Sequence, residues 1–456
     1  MLRWNRHTRT LEQEEHHFEL QDIPEPNLFR DTFPYTEVPR IPFDHRRVPM
    51  WPPEEIWITD TTFRDGQQAR PPYSAEQIVQ LYKFLHQLGG PNGVIRQSEF
   101  FLYSDKDKDA VRRCLDLGCR YPEITGWIRA TPSDFKLVKD MGLRETGILT
   151  SCSDYHIFLK LGKTRRQALD LYLSIVRAAI ESDIIPRCHF EDFTRADFLG
   201  FVVPFAQALM KLADESGRPV KIRVCDTLGL GVCYPGSSVP RCVQGVIYGL
   251  IQYANVPSEW LEWHGHNDFY KVVTNAATAW LYGCAAANGT LLGIGERTGN
   301  PPIEALAIEY TALRGDPHGM NLGTISEIAR YYRDVIGYDI PRNQPYVGAD
   351  FNVTSAGVHA DGLRKNPEIY TIFDTGSILG VPAGVSITDK SGIAGLAHWV
   401  DLELRDKGVH IDKNHPGLMA LRDAVDRQYA AGRLTAMSHD ELIVLARQHL
   451  PEYFGS

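Results

Sequence analysis

The chain has 456 residues, of which 43% are apolar, and a formal net charge of −9. That length allows more than one domain, with enough apolar side chains for a large core. The acidic balance gives no electrostatic basis for binding nucleic acid or an anionic membrane, and no apolar run approaches the roughly 20 residues that span a bilayer.

The start, Met1-Leu-Arg-Trp-Asn-Arg-His7, lacks the apolar segment of a secretory signal. Eight cysteines lie scattered, without a Cys-x-x-Cys pair. Both observations lead us to expect a soluble, cytoplasmic protein with reduced thiols. Residues 1–52 are polar and proline-rich (Pro24, Pro26, Pro34, Pro39, Pro42, Pro49, Pro52), which predicts an extended arm or lid. From Ile56 onward, short apolar strands are predicted at 56–60, 93–100, 122–130, 144–151, 185–191, 220–226, 260–265 and 289–294. Amphipathic helices fall between them, such as 75–89, with Ser74 to cap its start and Gly89 to end it. A second is 166–182, with apolar residues at 169, 172, 173, 176 and 180. Eight strand–helix units predict an α/β fold, a (β/α)8 TIM barrel, over 53–320. From 321 to 456 the pattern becomes mainly helical (324–336, 417–431, 438–449) around a glycine-rich stretch at 374–396. These C-terminal helical subdomains are expected to cover the barrel mouth.

Functional groups of such barrels gather at the C-terminal ends of the strands. On the predicted strands, Arg64 and Asp65 follow the first, Glu191 ends the fifth and Thr227 follows the sixth. His264 and His266 end the seventh, and Asn300 follows the eighth. Residues two apart in a strand share a face, so the two imidazoles suit adjacent positions on a divalent ion. Asp65 is the expected carboxylate ligand, with Asp60 and Asp268 as rivals; its Asp-Gly context also reads as a turn. Asn300 either adds an amide oxygen or supports its turn. Backbone N–H groups of the Gly293–Asn300 loop would cradle a pyrophosphate, or the loop is structural. Arg64 suits an oxyanion stabiliser or a rim ion pair. Glu191 suits a general base, an orienting group, or a partner of Arg195. His359 lies in a glycine-rich loop, either solvated or catalytic.

Asp60-Thr-Thr-Phe-Arg-Asp-Gly-Gln-Gln68 resembles the opening signature of the acyl-CoA-condensing α/β-barrel metalloenzymes: isopropylmalate, homocitrate, citramalate and Re-type citrate synthases. His264-Gly-His-Asn-Asp268 is similar to their metal-binding histidine motif, Gly293-Ile-Gly-Glu-Arg-Thr-Gly-Asn300 to their acetyl-CoA and metal loop, and Gly357-Val-His-Ala-Asp-Gly362 to their C-terminal histidine motif. The resemblance implies that Asp65, His264, His266 and Asn300 bind a divalent metal, with Mn2+ ahead of Zn2+, Mg2+ and Co2+. It implies that Gly293, Gly295, Glu296 and Gly299 meet acetyl-CoA, and that Gln68, Arg96, Arg129 and Thr227 line the oxo-acid pocket. Arg64, Glu191 and His359 become the catalytic set, with His359 reaching a neighbouring subunit of a homodimer. Thr354, five residues before His359, stands where relatives often carry histidine.

The implied reaction is an aldol-type condensation of acetyl-CoA with a 2-oxo acid. Arg96 replaces a glutamate common in relatives, and a cation beside the pocket would suit a second substrate carboxylate. The strand-four loop Thr150–Phe158 lacks the arginine that homocitrate synthases use. These departures and the proline-rich arm resemble the Re-type citrate synthases most, which implies oxaloacetate as substrate and citrate as product. Homocitrate synthase, then isopropylmalate or citramalate synthase, are the alternatives. A carbon–carbon lyase of the same barrel group and a silent binding module stand further off.

Overall fold

The computed structural model describes residues 2–5, 10–13 and 17–455, with side chains from residue 17 onward. Part of the expected arm (1, 6–9 and 14–16) therefore lies outside the described residues. The chain divides into two compact units, Met1–Asn321 and Leu322–Ser456.

In the first unit eight parallel strands close into a barrel: β1 (Trp57–Asp60), β2 (Ile95–Phe101), β3 (Glu123–Ile128), β4 (Glu145–Ser151), β5 (Ile185–Glu191), β6 (Lys221–Asp226), β7 (Leu261–Gly265) and β8 (Ala286–Gly289). Strand β8 pairs with both β1 and β7, which closes the ring. Strand alternation sorts the side chains. Ile58, Phe100, Ile148, Phe190, Ile222, Val224 and Trp263 are buried, each supplying the roughly 1.5–3 kcal/mol that a large apolar side chain gains on full burial. The alternating residues Gln97, Glu99, Arg187, His189, Arg223 and Glu262 are buried too, and they are polar.

Those polar residues pair with one another. Glu99 Oε2 accepts from Arg187 Nη2 at 2.7 Å, and its Oε1 from Arg223 Nη1 at 2.7 Å. Glu262 holds Arg223 at 2.7 Å, and Arg187 also meets Glu145 at 3.0 Å. Burying such ions is costly unless each is matched, and here each has two or more partners. Gly147 leaves room for them: a Cβ there would stand 2.5 Å from His189 Nε2 and 2.7 Å from Glu99 Oε2.

Most strands lie within two residues of their expected places, but the last does not. Strand β8 is Ala286–Gly289, whereas the expected segment 289–294 contains a 3₁₀ turn, Leu291–Gly293. The apolar run Leu291-Leu292 is buried in that turn, with Leu292 at φ 58°. The helix predicted at 75–89 spans Ala75–Gly89 with a complete Ser74/Gln77 capping box, and Gly90, at φ 67°, is its C-cap.

The arm is strapped to the barrel through its backbone. Arg165 Nη1 donates to Gln21 O at 3.0 Å, Tyr155 Oη to Leu28 O at 2.7 Å, and Arg241 to Arg40 O. Trp51 N bonds to Leu281 O at 3.0 Å just before β1 begins.

In the second unit, helices Gly357–Lys365, Gly392–Glu403, Pro416–Ala430 and His439–His449 accompany a two-stranded parallel pair, Val353–Thr354 with Gly384–Val385. Leu396, Val400, Leu418, Leu421, Leu442 and Leu450 form part of its own core. Among the described residues no helix is long and apolar enough to cross a membrane.

Candidate active site

The site begins where β1 ends. Asp60 accepts from Thr62 N at 2.9 Å and from Ser98 Oγ at 2.5 Å, which shapes the turn after the strand. Burial pushes its carboxyl up to about 6 despite those bonds, so Asp60 serves the turn. Asp65 N then bonds to Thr61 O at 2.9 Å and opens a one-turn helix, Asp65–Gln68. This aims a buried carboxylate across the barrel mouth.

His264 lies in β7 and His266 just beyond it. Their Nε2 atoms stand 3.5 and 3.7 Å from Asp65 Oδ2. One ligand atom from each of the three residues falls within 4.8 Å of the others, and all three residues are buried. His264 Nδ1 lies 2.7 Å from Asn288 Oδ1, an acceptor, so Nδ1 carries the proton and Nε2 presents its lone pair. Burial lowers the His264 imidazole to about 3 and depresses His266 as well, keeping both neutral. Burial works against Asp65, but the charge of Arg64 holds its carboxyl ionised. Asp65 Oδ2 and Asn300 Oδ1 are buried without a hydrogen-bond partner, although Asn300 Nδ2 donates to Gly265 O at 3.3 Å. Buried orphan acceptors beside two neutral imidazoles are a donor set that fits a divalent cation. Of the rivals to Asp65, Asp60 is spent on its turn and Asp268 pairs with Arg297 at 2.8 Å.

Arg64 reaches Glu99 Oε1 at 3.1 Å and Asp65 Oδ1 at 3.3 Å. Glu99 was missed in reading the sequence. Its signal was the inward alternation Gln97, Glu99 along β2.

Arg96 is corrected. It is the second residue of β2, five residues or roughly 16 Å from the strand's C-terminal end. Its guanidinium pairs with Glu55 at 3.1 Å and lies 4.5 Å from the Trp57 ring. It lines a cavity with Trp51 and Tyr282 at the opposite end of the barrel from Asp65, His264 and His266.

Glu191 ends β5 but does not pair with Arg195, which binds Asp192 at 2.8 Å. Glu191 accepts from Ser151 Oγ, from His156 Nδ1 at 2.9 Å and from Lys160 at 3.2 Å. Burial would raise its carboxyl, but the His156 and Ser151 bonds and the Lys160 charge bring it down to about 2. Thr227 Oγ1 accepts from Asp192 N at 2.8 Å and so braces this part of the rim. Arg129 pairs with Asp134 at 3.1 Å and is two-thirds exposed, and Gln68 and Glu296 are exposed.

The Gly293–Asn300 loop folds partly on itself. The N–H groups of Gly293, Ile294, Gly299 and Asn300 donate to carbonyls within residues 290–296. A Cβ on Gly295 would stand 1.8 Å from Asn300 Oδ1, so this glycine lets the Asn300 amide into the site. In the second unit, His359 lies on the helix Gly357–Lys365 with Nδ1 3.1 Å from Thr354 Oγ1 and its ring centroid 4.4 Å from that of Tyr370.

Residues 55–331 match the HMGL-like family. The chain is 58% identical over 460 residues to the citrate (Re)-synthase of Syntrophus aciditrophicus, an alignment covering all of this chain and 73% of that protein. It is 52% identical to the citrate (Re)-synthase of Clostridium kluyveri, covering 95% and 96% of the two chains. With the 2-phosphinomethylmalate synthase of Streptomyces hygroscopicus it shares 37% identity, covering 93% and 96%.

Proposed function

The chain belongs to the HMGL-like family, and we propose that it acts as a Re-type citrate synthase, joining the methyl carbon of acetyl-CoA to the keto carbon of oxaloacetate, with hydrolysis of the thioester by water to release citrate and CoA. The observation that carries this reading is the buried donor set Asp65, His264, His266 and Asn300 at the barrel mouth, in a chain 58% and 52% identical to proteins of that activity.

Those four residues would hold the ion, which we assign as Mn2+, with Zn2+, Mg2+ or Co2+ as alternatives. When bound, it polarises a chelated 2-oxo acid as a Lewis acid. The chain's own groups do the rest. Asp65 stays ionised and the two imidazoles neutral. Arg64, fixed by Glu99, presents a permanent positive charge beside Asp65, where an oxyanion grows as the keto carbon is attacked. Glu191, held as a carboxylate by His156 and Lys160, suits orienting the substrate better than removing a methyl proton, because its basicity is low. By resemblance we assign that proton transfer to His359, whose Nδ1 is oriented by Thr354 and which would act on a partner barrel in a homodimer. A cytoplasmic location belongs to the same proposal.

Label position tests the reaction. Acetyl-CoA labelled in its acetyl group is converted with unlabelled oxaloacetate, and the product is cleaved by a citrate lyase that releases the arm a Si-face synthase installs. Label retained in oxaloacetate supports the Re assignment. Label in acetate overturns it, and absence of labelled citrate overturns the condensation itself.

A further inference from the structure

A pocket of about 360 Å3 lies on the C-terminal rim of the barrel, between the N-terminal arm and the loops after β4 to β7. Arg30, Phe33, Tyr35 and Glu37 of the arm form one wall, with Tyr155, Arg195 and Phe269 opposite. The two guanidiniums share one ring: Arg195 Cζ lies 4.0 Å and Arg30 Cζ 5.8 Å from the Tyr155 centroid. Phe33 is buried, whereas Tyr35 is 91% exposed. The arm is fixed here, with Asn27 N on Asp154 Oδ2 at 2.8 Å and Tyr155 Oη on Leu28 O at 2.7 Å. The pocket adjoins the active site, for Asp268 lines it two residues after His266.

We propose that this arm-walled pocket holds the nucleotide end of acetyl-CoA, with Arg30 and Arg195 facing its phosphates and Tyr35 stacking on the base. This rests on the condensation reading above. Arg195 commits its Nε and Nη2 to Asp192, which leaves its Nη1 edge and the Arg30 guanidinium, both held against the Tyr155 ring, to meet phosphate. An aromatic ring left in solvent at the lip of an apolar cleft is an unfilled stacking surface. The Gly293–Asn300 loop spends four of its N–H groups internally, which leaves fewer of them for a phosphate. The arm precedes residue 55, where the match to the barrel family begins, so this subsite is an addition to the barrel.

The test is calorimetric titration of the full chain with CoA and with pantetheine, which keeps the thiol arm and lacks the nucleotide. Arg30→Ala and Tyr35→Ala are compared with wild type; both side chains are exposed, so the fold should tolerate them. Wild type should bind CoA at least tenfold more tightly than pantetheine, about 1.4 kcal/mol. Each variant should narrow that ratio threefold or more, and adenosine 3′,5′-bisphosphate should compete with CoA on wild type only. A ratio unchanged in both variants overturns the proposal, as does a change in subunit association in its place, which would make the pocket a contact between copies. Failure of the labelling experiment on wild type would remove the condensation reading, while the titration still reports on CoA.

Discussion

Asn288 Oδ1 lies 2.7 Å from His264 Nδ1, and the two residues are ladder partners on adjacent strands. Asn288 Nδ2 in turn donates to Thr59 Oγ1 at 2.9 Å, and Thr59 donates to Glu262. The orientation of a proposed metal ligand is therefore set by a chain of hydrogen bonds that ends in the buried ionic network of the barrel. Replacing Asn288 by Leu frees the ring and its tautomer. Metal affinity, titrated calorimetrically, should fall by about ten- to a hundredfold. Unchanged affinity would show that His264 is oriented by packing alone.

Glu99 is the keystone of that network, meeting Arg64, Arg187, Arg223 and His189. Glu99→Gln leaves buried guanidiniums without their counter-ion. Chemical denaturation should register a loss of about 3–5 kcal/mol. Turnover under conditions where the variant is folded should fall as well, because Arg64 loses its anchor.

His189 gives the network a pH signature. Burial, and then the charge of Arg223, lowers its imidazole from 6.5 to about 4. The folded value lies below the unfolded one, so the unfolded chain takes up the proton first as pH falls. This contribution is complete above pH 6.5 and is lost progressively toward pH 4, amounting to about 3 kcal/mol. Stability of His189→Asn relative to wild type, followed by urea unfolding between pH 4 and 7, should improve with acidification over that window. A constant difference would place the origin elsewhere.

Arg96→Ala separates the two ends of the barrel. Its guanidinium serves Glu55 and Trp57 on the N-terminal side. Steady-state kinetics should therefore show KM for oxaloacetate within about twofold of wild type. A tenfold rise in that KM alone would return Arg96 to the substrate pocket.

Much of this architecture was legible in the sequence. The pair His264 and His266 could be read because strand geometry puts alternate residues on one face, and the turn Thr61–Asp65 because a strand ended before it. Arg96 was misread because it was matched to a glutamate of relatives, although the predicted strand 93–100 already put it near the strand's start, away from the functional rim. Phe101, six residues after Ile95, ends β2, so Glu99 and not Arg96 nears the site. Strand β8 was displaced because Ala286-Ala-Asn-Gly289 carries no β-branched residue, while the apolar Leu291-Leu292 invites a strand and forms a turn. The docking of the arm left no trace because its anchors, such as Tyr155 on Leu28 O, use backbone carbonyls that every sequence possesses.

The most direct measurement is thiol release from acetyl-CoA by the purified, Mn2+-supplied protein. It should be made anaerobically with oxaloacetate, 2-oxoglutarate, 2-oxoisovalerate and pyruvate side by side, with a chelator control and with Asp65→Asn. The account predicts turnover strongest with oxaloacetate, abolished by chelator and reduced at least about a hundredfold in Asp65→Asn. Preference for another oxo acid would contradict the citrate assignment. Full activity in the presence of chelator, or in Asp65→Asn, would contradict the metal-centred site on which the account depends.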